Sequence, residues 1–219
     1  MLTHRWFAFA IGCYGCCAVA SPASAGPPDP ANCSVPSVIN ACPNGDIAYT
    51  IIVRNAAFDP YYDSQVVLDF SGCPSVHLCS RSTKTRYAFL TPTSVAITTD
   101  NTGSATFWLE AGGACAAGVQ VTASEYGDPT RPTLITNGID HMPVSFAGLD
   151  QNGGLSVTAD DAAILAAKAP DDPTADLNGD GTHDAADATL LAAHFGHACA
   201  EFPTPSKSRT WGQLKVIYR

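Results

Sequence analysis

Past residue 25 the chain has no run of apolar residues long enough to span a bilayer, so no internal membrane helix is expected. It also lacks Cys-x2-Cys beyond that point, and Cys73-x5-Cys79 is not the tight knuckle that zinc prefers. There is no Gly-x-Ser-x-Gly, no His-Glu-x-x-His and no phosphate-cradling glycine loop. Glu110 and Glu125 have no spacing that singles them out as a catalytic pair, and catalysis is not expected. Basic residues are scarce where acids gather. From Asp150 to Cys199 there are nine Asp and a single Lys, Lys168, in a chain of formal net charge -9. Phosphates would be repelled there, so nucleic acid is not an expected partner, whereas cations are.

What is present begins with export chemistry. Met1–Arg5 is a short positive segment, Trp6–Ala20 is apolar and uncharged, and Ala23-Ser24-Ala25 fits the small-x-small cleavage rule. A signal peptide over 1–25, cleaved after Ala25, and a secreted or cell-surface protein are expected. A lipid anchor at Cys13 or Cys16 would rest on a poor lipobox. Six cysteines then remain: Cys33, Cys42, Cys73, Cys79, Cys115 and Cys199. An even number in an oxidising compartment reads as disulfides, and the sequence alone does not choose among fifteen connectivities. The local pairs Cys33–Cys42 and Cys73–Cys79 are favoured, leaving Cys115–Cys199.

Residues 26–45, rich in Pro, Asn and small side chains, read as a linker with little regular structure. From Asp46 to Phe146 no 3.6-residue stripe appears, and the pattern is that of short strands. Ile47, Tyr49, Ile51 and Val53 alternate with Ala48, Thr50, Ile52 and Arg54; Val66, Leu68 and Phe70 form a second alternating run, and Val119, Val121 and Ala123 another. Ala96–Thr99 and Ala105–Leu109 flank Asp100-Asn101-Thr102-Gly103, a hairpin-type turn. Such strands separated by Gly, Pro, Asn and Asp predict a β-sandwich over 46–146. Tyr49–Ala56, Ser64–Phe70 and Thr98–Phe107 resemble bacterial immunoglobulin-like domains of the invasin and intimin type, over roughly Asp46 to Ser124. The resemblance departs at Phe58-Asp59-Pro60-Tyr61-Tyr62, and the family's role as spacer or adhesion surface reveals no ligand.

The strongest chemistry runs from Asp176 to Asp187. Ca²⁺ takes six to eight oxygens, and Asp176, Asn178, Asp180, Asp184 and Asp187 fall on positions 1, 3, 5, 9 and 12 of a calcium loop. Thr182 at position 7 offers its backbone carbonyl, and Gly181 at position 6 permits the turn. A helix-forming stretch, Ala188–Phe195, follows. Twenty-six residues earlier the pattern recurs in weaker form: Asp150, Asn152, Ser156, Thr158 and Asp161 fall on positions 1, 3, 7, 9 and 12, then Ala162–Lys168 parallels the second helix. Gly154 brings no oxygen to position 5 and Leu155 stands at position 6, so this loop should bind calcium more weakly.

Two loop-helix repeats with Asp at position 12 resemble a type I dockerin, over roughly Leu149 to Gly196. The resemblance implies a calcium-ordered module that docks on a cohesin-like partner, with Ala159, Asp160, Ala185 and Ala186 at the contact positions. These residues lack the hydroxyls common in cellulosomal members, so the resemblance does not imply a cellulosome-type partner. His194 and His197 could share a metal, but no third ligand lies in sequence reach. The basic tail over 200–219, with Trp211, Leu214 and Tyr218 at helical spacing, reads as a frayed terminus or a short recognition or sorting segment.

The expected fold class is thus an all-β immunoglobulin-like sandwich (46–146) plus a small all-α dockerin-like domain of two loop-helix, EF-hand-like repeats (147–199). The expected function is that of an exported, non-catalytic binding or scaffold protein with Ca²⁺ as its cofactor. The alternatives are a polysaccharide-binding or polysaccharide-degradation accessory protein, with Trp108, Tyr61 and Tyr62 as the aromatic candidates, and a spacer stiffened by calcium.

Overall fold

Alternation of apolar and polar side chains builds most of the strands in the computed structural model, which describes residues 26–79, 87–125, 128–136, 140 and 142–199. The expected signal peptide over 1–25 and the tail over 200–219 lie outside the described residues. Eleven strands are described: β1 (Val38–Ala41), β2 (Ala48–Ile52), β3 (Gln65–Asp69), β4 (His77–Leu78), β5 (Ala88–Thr91), β6 (Ser94–Thr98), β7 (Ser104–Trp108), β8 (Ala111–Gly112), β9 (Ala114–Glu125), β10 (Asp128–Leu134) and β11 (Val144–Gly148). Two short helices follow, α1 (Ala159–Ala166) and α2 (Ala185–Ala193).

Seven strands form one mixed sheet in the order β1-β11-β9-β3-β6-β5, with β10 also paired to β9. β2 and β7 form a separate antiparallel ribbon, as do β4 and β8. Alternate positions do the packing: Tyr49 and Ile51 of β2, Val66 and Leu68 of β3, Ala105 and Phe107 of β7, and Val119, Val121 and Ala123 of β9 are all buried in one core. Phe70 and Phe146 meet edge to face there, with centroids 5.7 Å apart.

The expected fold class is corrected. The chain is mostly β, 39% strand against 11% helix, and a separate all-α dockerin-like domain is not seen. Its boundary, expected between 146 and 147, falls inside β11, which pairs in parallel with β1 and antiparallel with β9. The two helices bury too little apolar surface for a core of their own. Leu165 and Leu191 instead share a core with Cys42, Ala147 and Leu149, so the helical segment is completed by the sheet. Nor is the expected immunoglobulin-like sandwich established, since the β portion is a seven-stranded sheet with a parallel pair at one edge and two two-stranded ribbons. The expected linker contributes β1, because Ile39 and Ala41 are fully buried against β11.

The predicted hairpin across Asp100–Gly103 is also revised. Its turn forms, with the Gly103 N–H donating to Asp100 O at 3.0 Å and Gly103 at φ +76°. The flanking strands part company, however: β6 pairs with β3 and β5, and β7 pairs with β2. The turn carries the chain from one sheet to another.

The favoured disulfides are replaced as well. Cys73 bonds Cys115 and Cys79 bonds Cys199, while Cys33 and Cys42 stand outside both bridges. Fold topology overrides sequence proximity here, because β4 and β8 bring distant segments together.

Candidate metal centre

The two calcium-type loops share one backbone design. In the second, the Asp176 carboxylate accepts from the N–H of Gly179 (2.7 Å), Asp180 (3.1 Å) and Gly181 (2.9 Å). Asp187 accepts from Leu177 (2.7 Å) and Asn178 (3.2 Å) on one oxygen and from Asp184 (2.7 Å) on the other. In the first, Asp150 accepts from Gly154 (3.1 Å) and Leu155 (2.6 Å), and Asp161 from Asn152 (3.1 Å) and Thr158 (2.8 Å). Asn152 Oδ1 and Asn178 Oδ1 both accept from the residue two places on, Gly154 at 2.7 Å and Asp180 at 2.9 Å. Each closing carboxylate also sits in the first turn of its helix, where the helix dipole favours negative charge.

The missing turn glycine of the first loop proves no barrier. Leu155 adopts φ +63°, the left-handed conformation that Gly181 adopts at φ +89°. An L-residue pays about 1–2 kcal/mol for that conformation, a cost that the second loop avoids. The position-5 oxygen stays missing.

Burial defines which oxygens could hold an ion. Asp150, Asp161 and Asp187 are 0% exposed and Asp176 is 5% exposed, and among the described residues none of the four is ion-paired to a Lys or Arg. Asn178, Asp180, Thr182 and Asp184 are exposed on the open side of the loop, as are Asn152 and Thr158, while Ser156 is half-buried. Burial pushes the Asp150 carboxyl above the usual range; the N–H of Leu155 pulls it back, and the charge of Asp161 adds to the rise. Ionising it therefore works against the fold as pH rises, a cost that a divalent cation offsets. Asp180 is held below the usual range, first by the Thr182 hydroxyl and then by Asn178 and the Thr182 N–H, and so presents a charged carboxylate. All-oxygen donors with buried carboxylates at positions 1 and 12 fit a hard cation such as Ca²⁺.

Supporting residues that the sequence did not single out tie both loops to the sheet. Asn40 of β1 donates from Nδ2 to Asp176 O at 2.8 Å. The Gly113 N–H donates to Asp150 O at 2.6 Å, and His77 of β4 contacts Gly153 O through Nδ1 at 3.2 Å. A Cβ on Gly112 would collide with the Asp150 carboxylate. Gly112→Ala should therefore displace Asp150, destabilise the fold by about 1–3 kcal/mol and weaken any cation binding by the first loop without affecting the second; chemical denaturation with calcium titration checks this.

The contact positions Ala159, Asp160, Ala185 and Ala186 are all exposed, and Ile164 and Phe195 expose apolar surface on the same helical segment, 37% and 47%. The aromatic row expected of a sugar platform does not assemble: Tyr61 is 2% exposed, Tyr62 is 62% exposed and Trp108 is half-buried.

A second group of ligand-type atoms lies at the junction of sheet and helices. His197 Nδ1 is 3.0 Å from Asp46 Oδ2 and 3.6 Å from Cys42 Sγ, and His194 Nε2 is 3.6 Å from the same Asp46 oxygen. The third ligand that His194 and His197 lack in local sequence is thus supplied from the other end of the chain. Comparisons with protein-family models, curated proteins and solved structures return no match to this chain.

Proposed function

We propose that this is an exported, non-catalytic binding or scaffold protein in which Ca²⁺, held first by the loop Asp176–Asp187, orders a helical docking face. The observation that carries the reading is the buried carboxylates Asp150, Asp161, Asp176 and Asp187, which have no basic partner among the described residues. Burying charge without a counter-charge is costly, and a divalent cation supplies one. In the second loop Asp176, Asn178, Asp180, Asp184 and Asp187 would supply side-chain oxygens and Thr182 its carbonyl. The two disulfides are in keeping with export into an oxidising compartment.

The docking partner in this reading is a protein of cohesin-like type that contacts Ala159, Asp160, Ala185 and Ala186. A polysaccharide reading loses Tyr61 from its platform, because that ring is buried. A spacer stiffened by calcium would share the calcium dependence but capture no partner.

The loop assignment is tested with Asp180→Ala. Asp180 is exposed, so the variant should fold as well as the parent, within about 0.5 kcal/mol. By isothermal titration its calcium affinity should fall at least tenfold, because a charged ligand is lost from position 5. Unchanged affinity would remove Asp176–Asp187 as the principal site.

A further inference from the structure

We infer that Cys42, Asp46 and His197 form a second, chemically distinct metal site for a borderline divalent ion such as Zn²⁺. The three residues come from the end of β1, the loop leading to β2, and the segment just past α2. Their ligand atoms all lie within 4.8 Å of one another. Zn–S of about 2.3 Å and Zn–N or Zn–O of about 2.0–2.1 Å at tetrahedral angles place ligand atoms roughly 3.3–3.6 Å apart. The Sγ–Nδ1 separation of 3.6 Å and the Nδ1–Oδ2 separation of 3.0 Å are close to that spacing.

Two further observations point to an ion. Asp46 Oδ1 is buried and makes no hydrogen bond among the described residues, so half of this carboxylate is open to an electropositive partner. Next to it, His194 Nδ1 lies 2.8 Å from Leu190 O, which fixes the proton on Nδ1 and turns Nε2 towards Asp46. That ring is not one of the three ligands; its unprotonated Nε2 faces the site as an acceptor for a water on the ion. The fourth position falls to water, with His194 at its edge.

The donor set separates this site from the calcium loops. A thiolate and an imidazole are poor ligands for Ca²⁺ and good ones for zinc. Cys42 is fully buried, whereas the His197 side chain is 33% exposed, so an ion enters from the His197 side and the sulfur is shielded. Binding releases the thiol proton. The bound ion would clamp the start of the sheet to the end of the helical segment, residues 155 apart in sequence.

The test uses the mature chain with its disulfides intact, freed of metal and titrated with Co²⁺ and then Zn²⁺. A thiolate-to-cobalt charge-transfer band should appear in the near ultraviolet and be displaced by zinc. Cys42→Ser should abolish the band. His197→Gln, at a partly exposed position that should fold normally, should weaken zinc binding at least tenfold, while Asp180→Ala should leave both readouts unchanged. Absence of the band in the parent, its persistence in Cys42→Ser, or equal zinc affinity in His197→Gln and the parent would overturn the site.

Discussion

Replacing Asp187 with alanine should cost about 3–5 kcal/mol of stability and eliminate the calcium response. Asp187 is 0% exposed and accepts N–H groups from Leu177, Asn178 and Asp184. Truncation leaves these three donors facing a cavity, and each buried donor without a partner costs about 1–3 kcal/mol, less where water can reach it. It also removes the carboxylate at position 12, which closes the proposed calcium loop and lies in the first turn of α2. Asp187→Asn separates the two effects. The amide keeps one acceptor oxygen, so part of the stability returns, but the lost charge still weakens calcium binding. Urea unfolding of parent, Asp187→Asn and Asp187→Ala, each with and without calcium, should give that order. If Asp187→Ala unfolds at the parental urea concentration, the hydrogen bonds described for this carboxylate do not hold the loop.

The second large effect concerns the disulfides. Cys79–Cys199 closes a loop of sequence separation 120, and Cys73–Cys115 one of 42. Chain entropy alone assigns about 5 kcal/mol to the longer link and about 4 kcal/mol to the shorter. The longer link also fastens the segment beyond α2 beside β4, where Cys79 N–H donates to Glu110 O at 2.8 Å. The double variant Cys79→Ala/Cys199→Ala should therefore lose more stability than Cys73→Ala/Cys115→Ala and should expose the helical segment to proteolysis first. Peptide mapping without reduction checks the pairing. Recovery of Cys33 linked to Cys42, or of Cys73 linked to Cys79, would contradict it.

The strands that the sequence made legible are those whose buried face repeats every second residue. Tyr49 with Ile51, Val66 with Leu68, and Val119 with Val121 were all readable in this way, and each pair is buried. Pairing was less legible, because alternation tells which face is buried but not which strand lies alongside. β6 and β7 thus looked like one hairpin and belong to different sheets. β1 was hidden by its Pro- and Asn-rich surroundings, and it is defined by a parallel partner more than a hundred residues away, Val38 against Ser145. The separate helical domain failed for an energetic reason: α1 and α2 have eight and nine residues, and their buried leucines need Ala147 of β11 and the adjoining Leu149 to complete a core.

The turns of the two loops were legible because Asp, Asn and Gly spacing sets backbone geometry along a short segment, and local spacing survives whatever the distant fold does. Leu155 shows the limit of that reasoning. A residue that the turn disfavours by propensity still takes φ +63°, held by the Leu155 N–H bond to Asp150 and by Cys199 N–H donating to Leu155 O. The junction of Cys42, Asp46 and His197 was not legible at all. His194 and His197 were visible as a pair, but only the packing of β1 against β11 and the helical segment brings Asp46 and Cys42 to them.

Thermal unfolding of the purified protein, stripped of metal and measured with and without added Ca²⁺, bears most directly on the proposed role of Asp176–Asp187. A ligand at about 100 times its Kd stabilises the native state by about 2.7 kcal/mol, and for a chain of this size that is a rise in Tm of roughly 5–10 °C. That rise is expected with Ca²⁺ and should be cut to about half or less in Asp180→Ala at the same calcium concentration. An identical Tm with and without calcium in the parent chain would contradict the assignment of its buried carboxylates to a calcium site.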